Sequence, residues 1–203
     1  MPDGRQVTPT RSAYLELKDE RQLVREGYEF LDEKRMIVAQ EMLRQLGGYR
    51  EALAAYREAH LAAIESLGRA TARHGLEGVT VYPAPQLQRW DCQHEYHRFL
   101  GVELIDPHCP AMDWKPGPPA AVPSPEAEDC RERFMALMPL AADMAARSAN
   151  LGRLIAEYTR TERRARALEN VLLPEIDESI RFMEEQLEAV DLEEALRVRF
   201  VGR

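Results

Sequence analysis

The fold class predicted for this chain is all-α: a long antiparallel two-helix coiled coil, with a small central insertion that contains a short β-hairpin. Three observations predict it. Charged residues make up 31% of the 203 residues and aromatics only 7%, a balance that favours long solvated helices over a thick globular core. Apolar residues recur in alternating steps of three and four over two long stretches, one at each end of the chain. Between those stretches the pattern gives way to short β-branched runs bounded by glycine and proline, followed by a proline-rich connector.

The first helix is expected to begin at Thr8–Thr10, where threonine caps free backbone N–H groups and Pro9 fits the first turn. From Tyr14 one seam column reads Tyr14, Arg21, Tyr28, Arg35, Met42, Tyr49, Tyr56 and Ala63; the other reads Leu17, Val24, Leu31, Val38, Gln45 and Ala52. Arg21, Arg35 and Gln45 are imperfect seam residues, although an arginine stem can cover apolar surface. Gly47-Gly48 lowers helix propensity by about 1 kcal/mol per glycine relative to alanine, and marks a soft point or a close packing contact. The pattern fades around Arg73 to Gly75, so residues 1–73 form the first segment. Leu23, Phe30 and Ile37 occupy a third column outside the seam and call for another protein surface.

Residues 74–124 form the insertion. GVTVY (78–82) and GVELI (101–105) read as its two strands, and WKPGPPAAVPSP, beginning at Trp114, as a stiff connector. Ser124-Pro125-Glu126 then supplies a cap, a proline at the first helical position and an acidic first turn, which opens the last segment, residues 125–203. The second helix is predicted from about Pro125 to about Arg199, with a kink at Pro139. Its seam reads Leu151, Leu154, Tyr158, Thr161, Ala165, Leu168 and Leu172, continues in steps of four to Ile176 and Ile180, and resumes with Met183, Leu187 and Val190. Extra steps of four locally unwind a supercoil, and Pro174 falls among them. At 1.5 Å per residue, about 60 to 75 residues give rods of roughly 90 to 110 Å. Folding them back antiparallel puts the insertion at the turn end.

Composition narrows the function. A net charge of -8 argues against general nucleic-acid binding, which needs basic surface to displace counterions. No apolar run reaches the roughly 18 residues that span a bilayer, so no direct membrane insertion is expected. The N-terminal MPDGRQVTPT has no hydrophobic signal segment, and three cysteines suit a reducing cytoplasm. Cys92, His94, His97, His108 and Cys109 carry the one site-like chemistry, but their spacing matches no strong zinc motif, and neither metal nor other cofactor is expected. No glycine-rich phosphate loop and no catalytic constellation is present, so no enzyme activity is expected of the chain alone. The periodicity by itself also fits a coiled-coil adaptor or scaffold.

Both ends carry more specific patterns. TPTRSAYLELKDERQLVREGYEFLDEKRMIV (8–38) resembles the start of the D subunit of V-type and archaeal-type rotary ATPases, through Pro9-Thr10-Arg11, Leu15 to Lys18, Gly27 and Leu31 to Arg35. TERRARALENVLLPEIDESIRFMEEQLE (161–188) resembles that family's second signature, through Arg163-Arg164, Ala167-Leu168-Glu169, Pro174 and Ile180 to Glu184. FLGVELI (99–105) is similar to its central Gly-Val segment. The resemblance implies a non-catalytic central stalk, or rotor axle, that couples ATP turnover to ion translocation. It implies as partners the catalytic A and regulatory B subunits of the surrounding hexamer, a small F subunit of the stalk, and a funnel-shaped subunit leading to the membrane ring. The chain would then be cytoplasmic, peripheral to the membrane as part of that complex. Candidate partner contacts are Leu23, Phe30 and Ile37 on the first helix, and Arg160, Arg163, Arg164 and Arg166 on the second. Arg11 beside Arg197 and Arg199 would form a basic tip together with Arg5 and Arg203. Exposed ion pairs contribute only ~0–1 kcal/mol each, a weakness that suits contacts made and broken in rotation.

Overall fold

The computed structural model describes residues 9–87, 95–106, 114, 115 and 117–201. In chain order the elements are α1 (Arg11–Val81), β1 (Gln86–Leu87), β2 (Tyr96–Phe99), β3 (Val102–Ile105), β4 (Trp114–Lys115), α2 (Pro125–Ala167), a π-helical segment (Leu168–Leu172) and α3 (Leu173–Val201). They group into two compact units, one made of residues 1–37 with 158–203 and the other of Val38–Glu157.

In the first unit, the start of α1 lies antiparallel to the end of α2, the π-helical segment and α3. Thr10 caps α1: its hydroxyl accepts the Ala13 N–H at 3.2 Å and its carbonyl accepts the Tyr14 N–H at 3.0 Å. The alternation of three and four sorts the residues as expected. Tyr14, Leu17, Val24, Tyr28, Leu31 and Arg35 are half-buried, while Thr161, Ala165, Ile176, Ile180 and Met183 are buried. Polar contacts run alongside this seam. Arg11 pairs with Asp191 at 3.0 Å and Arg21 with Asp177 at 2.7 Å, and the Tyr14 hydroxyl donates to Glu184. Tyr28 hydrogen-bonds Glu169, whose charge, together with desolvation, lifts the phenol above its ordinary value of 10.0. The irregular step in the sequence has a structural counterpart. Immediately before Pro174 the backbone widens into the π-helical segment, and the Leu173 N–H bonds back to the Leu168 carbonyl, five residues away. A proline cannot supply the next ladder bond and its ring presses on the preceding turn; the wider turn also takes up one more residue than an α-turn.

The second unit contains the rest of α1, the strands and most of α2. α1 is interrupted at Gly75 (φ 72°, ψ 167°), where the heptads fade. The run GVTVY, expected as a strand, is instead helical through Val81. Its apolar residues Val79 and Tyr82 lie three apart and line one cleft with Ala127 and Phe134 of α2, and that contact overrides the β preference of valine and threonine. The Thr80 hydroxyl also bonds back to the Glu77 carbonyl at 2.7 Å, and Pro83 follows.

The hairpin is β2–β3, so GVELI supplies one strand as expected and YHRF the other. Cα partners run from Tyr96↔Ile105 to Phe99↔Val102. Leu100 (φ 47°) and Gly101 (φ 87°) make the two-residue turn, both in the left-handed region that a type I′ hairpin requires. β1 and β4 form a second, two-residue antiparallel pair, with Leu87↔Trp114 and Gln86↔Lys115. Gly117 is glycine because a Cβ there would strike the Ala84 carbonyl oxygen. α2 begins at the expected cap, with the Ser124 hydroxyl accepting the Ala127 N–H at 3.2 Å and Glu126 and Glu128 in the first turn. Pro139 lies inside α2 without interrupting it. Arg69 pairs with Asp129 across the two helices at 2.8 Å.

The insertion does not stay at the turn end. Trp114 of β4 stacks beside Arg131, six residues into α2, but β2–β3 reaches back to Asn150. That residue lies about 25 residues along α2, roughly 38 Å at 1.5 Å per residue. Leu104 and Asn150 are both fully buried there. Of Gly47-Gly48, Gly48 proves to be a packing contact, since a Cβ on it would meet the Arg147 guanidinium, while Gly47 has open space around it.

Candidate interaction surfaces

In the first unit, Leu23 and Phe30 stand two-thirds exposed (69% and 66%) and Ile37 is 37% exposed. A spacing of seven on α1 places all three in one column, turned away from the filled seam. Their exposure is a consequence of the seam being complete: the partner helix already covers Tyr14, Leu17, Val24, Tyr28 and Leu31.

Arg160, Arg163, Arg164 and Arg166 are all exposed. They flank the buried seam residues Thr161 and Ala165, so the helix turns their stems outward. Arg166 is held by Glu162 of the preceding turn at 2.7 Å. Part of the expected basic tip lies within the described residues. Arg11 faces the carboxylate of Asp191, and Arg197 lies 4.0 Å from Glu193 on its own helix. Arg199 is exposed near the end of α3, and Arg5 and Arg203 lie outside the described residues.

One apolar surface was not anticipated. Leu192, Leu196 and Phe200 of α3 are exposed at 65%, 52% and 81%. They follow Asp191, the residue opposite the first residue of α1, so the described part of α1 offers them no neighbour. The steps of four from Leu192 to Leu196 to Phe200 would have revealed this stripe in the sequence.

In the second unit, an apolar cleft of about 170 Å³ lies between the end of α1 and the start of α2, lined by Val79, Tyr82, Pro83, Cys130, Arg131 and Phe134. Its lining is mostly apolar, with the free Cys130 thiol and the Arg131 side chain among it. Tyr82 donates to Glu128 at 2.9 Å, and burial with that hydrogen bond raises its phenol above the ordinary value. His97 is exposed on β2, its charge acting on Glu41 of α1. Cys92, His94, His108 and Cys109 lie outside the described residues. Among the described residues, no three His, Cys, Asp or Glu side chains converge as a metal site, and no helix is long and apolar enough to cross a membrane.

These surfaces belong to a chain whose sequence matches the family of ATP synthase D subunits from residue 13 to residue 203. The chain belongs to that family. The V-type ATP synthase D subunit of Thermotoga neapolitana is 26% identical over 199 residues, covering 95% of both chains. The A-type ATP synthase D subunit of Pyrococcus furiosus is 28% identical over 208 residues, covering 98% of this chain and 94% of its own. The A-type D subunit of Methanoregula boonei is 24% identical over 200 residues, covering 96% and 95%. The family match takes in the hairpin and the π-helical segment as well as most of α1 and all of α3.

Proposed function

We propose that this D subunit is the central-stalk axle of a V/A-type ATP synthase, transmitting torque between ATP turnover in the catalytic hexamer and ion translocation in the membrane. It performs no catalysis itself. The observation that carries this reading is the outer face of α1 in the first unit. A helix pair whose seam is already filled still presents Leu23 and Phe30 two-thirds exposed, within a chain of D-subunit ancestry. Surface of that kind is covered in an assembly. The A and B subunits of the hexamer are the partners assigned to that face and to the arginines at 160, 163, 164 and 166. The small F subunit binds beside the stalk, and a funnel-shaped subunit joins it to the membrane ring on the cytoplasmic side.

A crosslinking experiment tests the axle. Leu23→Cys, joined by a disulfide to an engineered cysteine of the hexamer, should halt ATP hydrolysis by the assembled complex, and reduction should restore it. Continued turnover with the crosslink intact would sink the proposal.

A further inference from the structure

The two long edges of the β2–β3 hairpin are treated differently. The Asp106 N–H bonds to the Glu95 carbonyl at 2.8 Å. With the register of the pair, this makes 95–106, 97–104 and 99–102 the hydrogen-bonded pairs. The backbone groups of Glu103 and Ile105 therefore point outward from β3, and those of Tyr96 and Arg98 outward from β2. On β3 three of these four groups are taken: the Asn150 Oδ1 accepts the Ile105 N–H at 2.8 Å, its Nδ2 donates to the Ile105 carbonyl at 2.7 Å, and the Arg153 Nη1 donates to the Glu103 carbonyl at 3.2 Å. On β2, among the described residues, the outward N–H and C=O of Tyr96 and Arg98 have no protein partner. Tyr96 and Leu100 beside that edge are 57% and 42% exposed.

We propose that the outer edge of β2 docks an extended strand of another subunit of the ATP synthase, with acidic side chains beside Arg98. Two N–H donors and two carbonyl acceptors, alternating along one straight edge, are the recognition pattern of a strand. An edge left open invites pairing, and here side chains of α2 bond to only one of the two edges. Charge selects the occupant. A second copy placed antiparallel, with Tyr96 opposite Arg98, would set His97 against His97 in the closely spaced, non-bonded position and bring two Arg98 side chains to the same ribbon. A strand carrying Asp or Glu there meets Arg98 favourably instead. This inference rests on the chain's place in the complex, but not on its turning.

Amide hydrogen exchange on the full chain, alone and in the assembled ATP synthase, tests it. The Tyr96 and Arg98 amides should slow at least about tenfold on assembly, whereas those of His97 and Phe99, already bonded within the hairpin, should change little. Equal exchange at Tyr96 and Arg98 in both states overturns the proposal, as does concentration-dependent slowing in the isolated chain, which would mean self-pairing. Arg98→Glu leaves the backbone edge intact but repels an acidic strand, so it should weaken incorporation about tenfold, with Arg98→Lys close to the parent; indifference to both substitutions counts against the acidic partner. A chain that never enters the complex overturns the axle reading, whereas one that enters with β2 still exchanging freely overturns only this one.

Discussion

At position 150 a side-chain amide stands where a neighbouring strand would stand, giving and receiving one hydrogen bond with Ile105 in a fully buried setting. Asn150→Ala would leave a buried N–H and a buried C=O unpaired, for a loss of about 3 kcal/mol. Urea denaturation should show that loss, and the Ile105 amide should begin to exchange well before global unfolding. Glu41 offers a second test at this scale. Its carboxylate is held below the ordinary value of 4.5, chiefly by hydrogen bonding to Arg44 and further by Gln45 and the charge of His97, against the opposing effect of burial. A lowered folded-state pKa means that its contribution to stability is complete above the ordinary glutamate range and is lost as pH falls through the folded value. Glu41→Gln should therefore cost on the order of 1–2 kcal/mol at pH 7. The gap to the parent should close as denaturation is repeated toward pH 3.

The helices were legible in the sequence to the level of single seam positions. Leu151, Leu154, Tyr158, Thr161, Ala165, Leu168, Leu172, Ile176, Ile180, Met183 and Leu187 are all covered, and Val190, where the partner helix runs out, is 46% exposed. Burial there repeats a one-dimensional pattern, so one dimension of information suffices. The insertion was less legible. Residues 78 to 81 became helical because α2 lies against Val79 and the Tyr82 that follows, and YHRF became a strand because a turn at Leu100-Gly101 aligned it with VELI. The first outcome depends on contacts distant in sequence, the second on a pairing across a turn that periodicity alone does not state. The glycine pair falls between: the sequence located it, and only the structure separates its members. Gly47→Ala, with open space for the methyl, should stabilise by up to about 1 kcal/mol in thermal or urea melts. Gly48→Ala should gain less, because the Arg147 guanidinium must first move aside.

For the molecule as a whole, the division between what holds the helices and what faces outward bears on function. The resemblance at both ends pointed to the family, whose match runs from residue 13 to residue 203. It could not show that Arg11 is engaged by Asp191, because that pairing depends on the stagger of the two helices, which no local pattern states. The exposed column makes a clean prediction. Leu23→Ser with Phe30→Ser should leave the melting temperature within about 2 °C of the parent, since neither side chain fills the seam and surface changes cost little. The double variant should still weaken assembly with the hexamer about tenfold or more in a binding titration. A fall in stability without a fall in binding would mean that the column serves the fold instead.

The π-helical segment can also be viewed as stored phase. Shortening an α-helix by one residue turns everything beyond the deletion by about 100°, enough to swing a buried face into water. Within Leu168–Leu172 the backbone already carries one residue more than an α-turn holds, so deleting one there should collapse the wide turn and leave the direction of Ile176, Ile180 and Met183 unchanged. Deleting Val171, which is 53% exposed, should therefore cost far less stability than deleting Arg163 or Arg164 one or two turns earlier. A single-residue deletion scan read by thermal melting would register the segment as a gap of tolerance in a helix that elsewhere admits no slip.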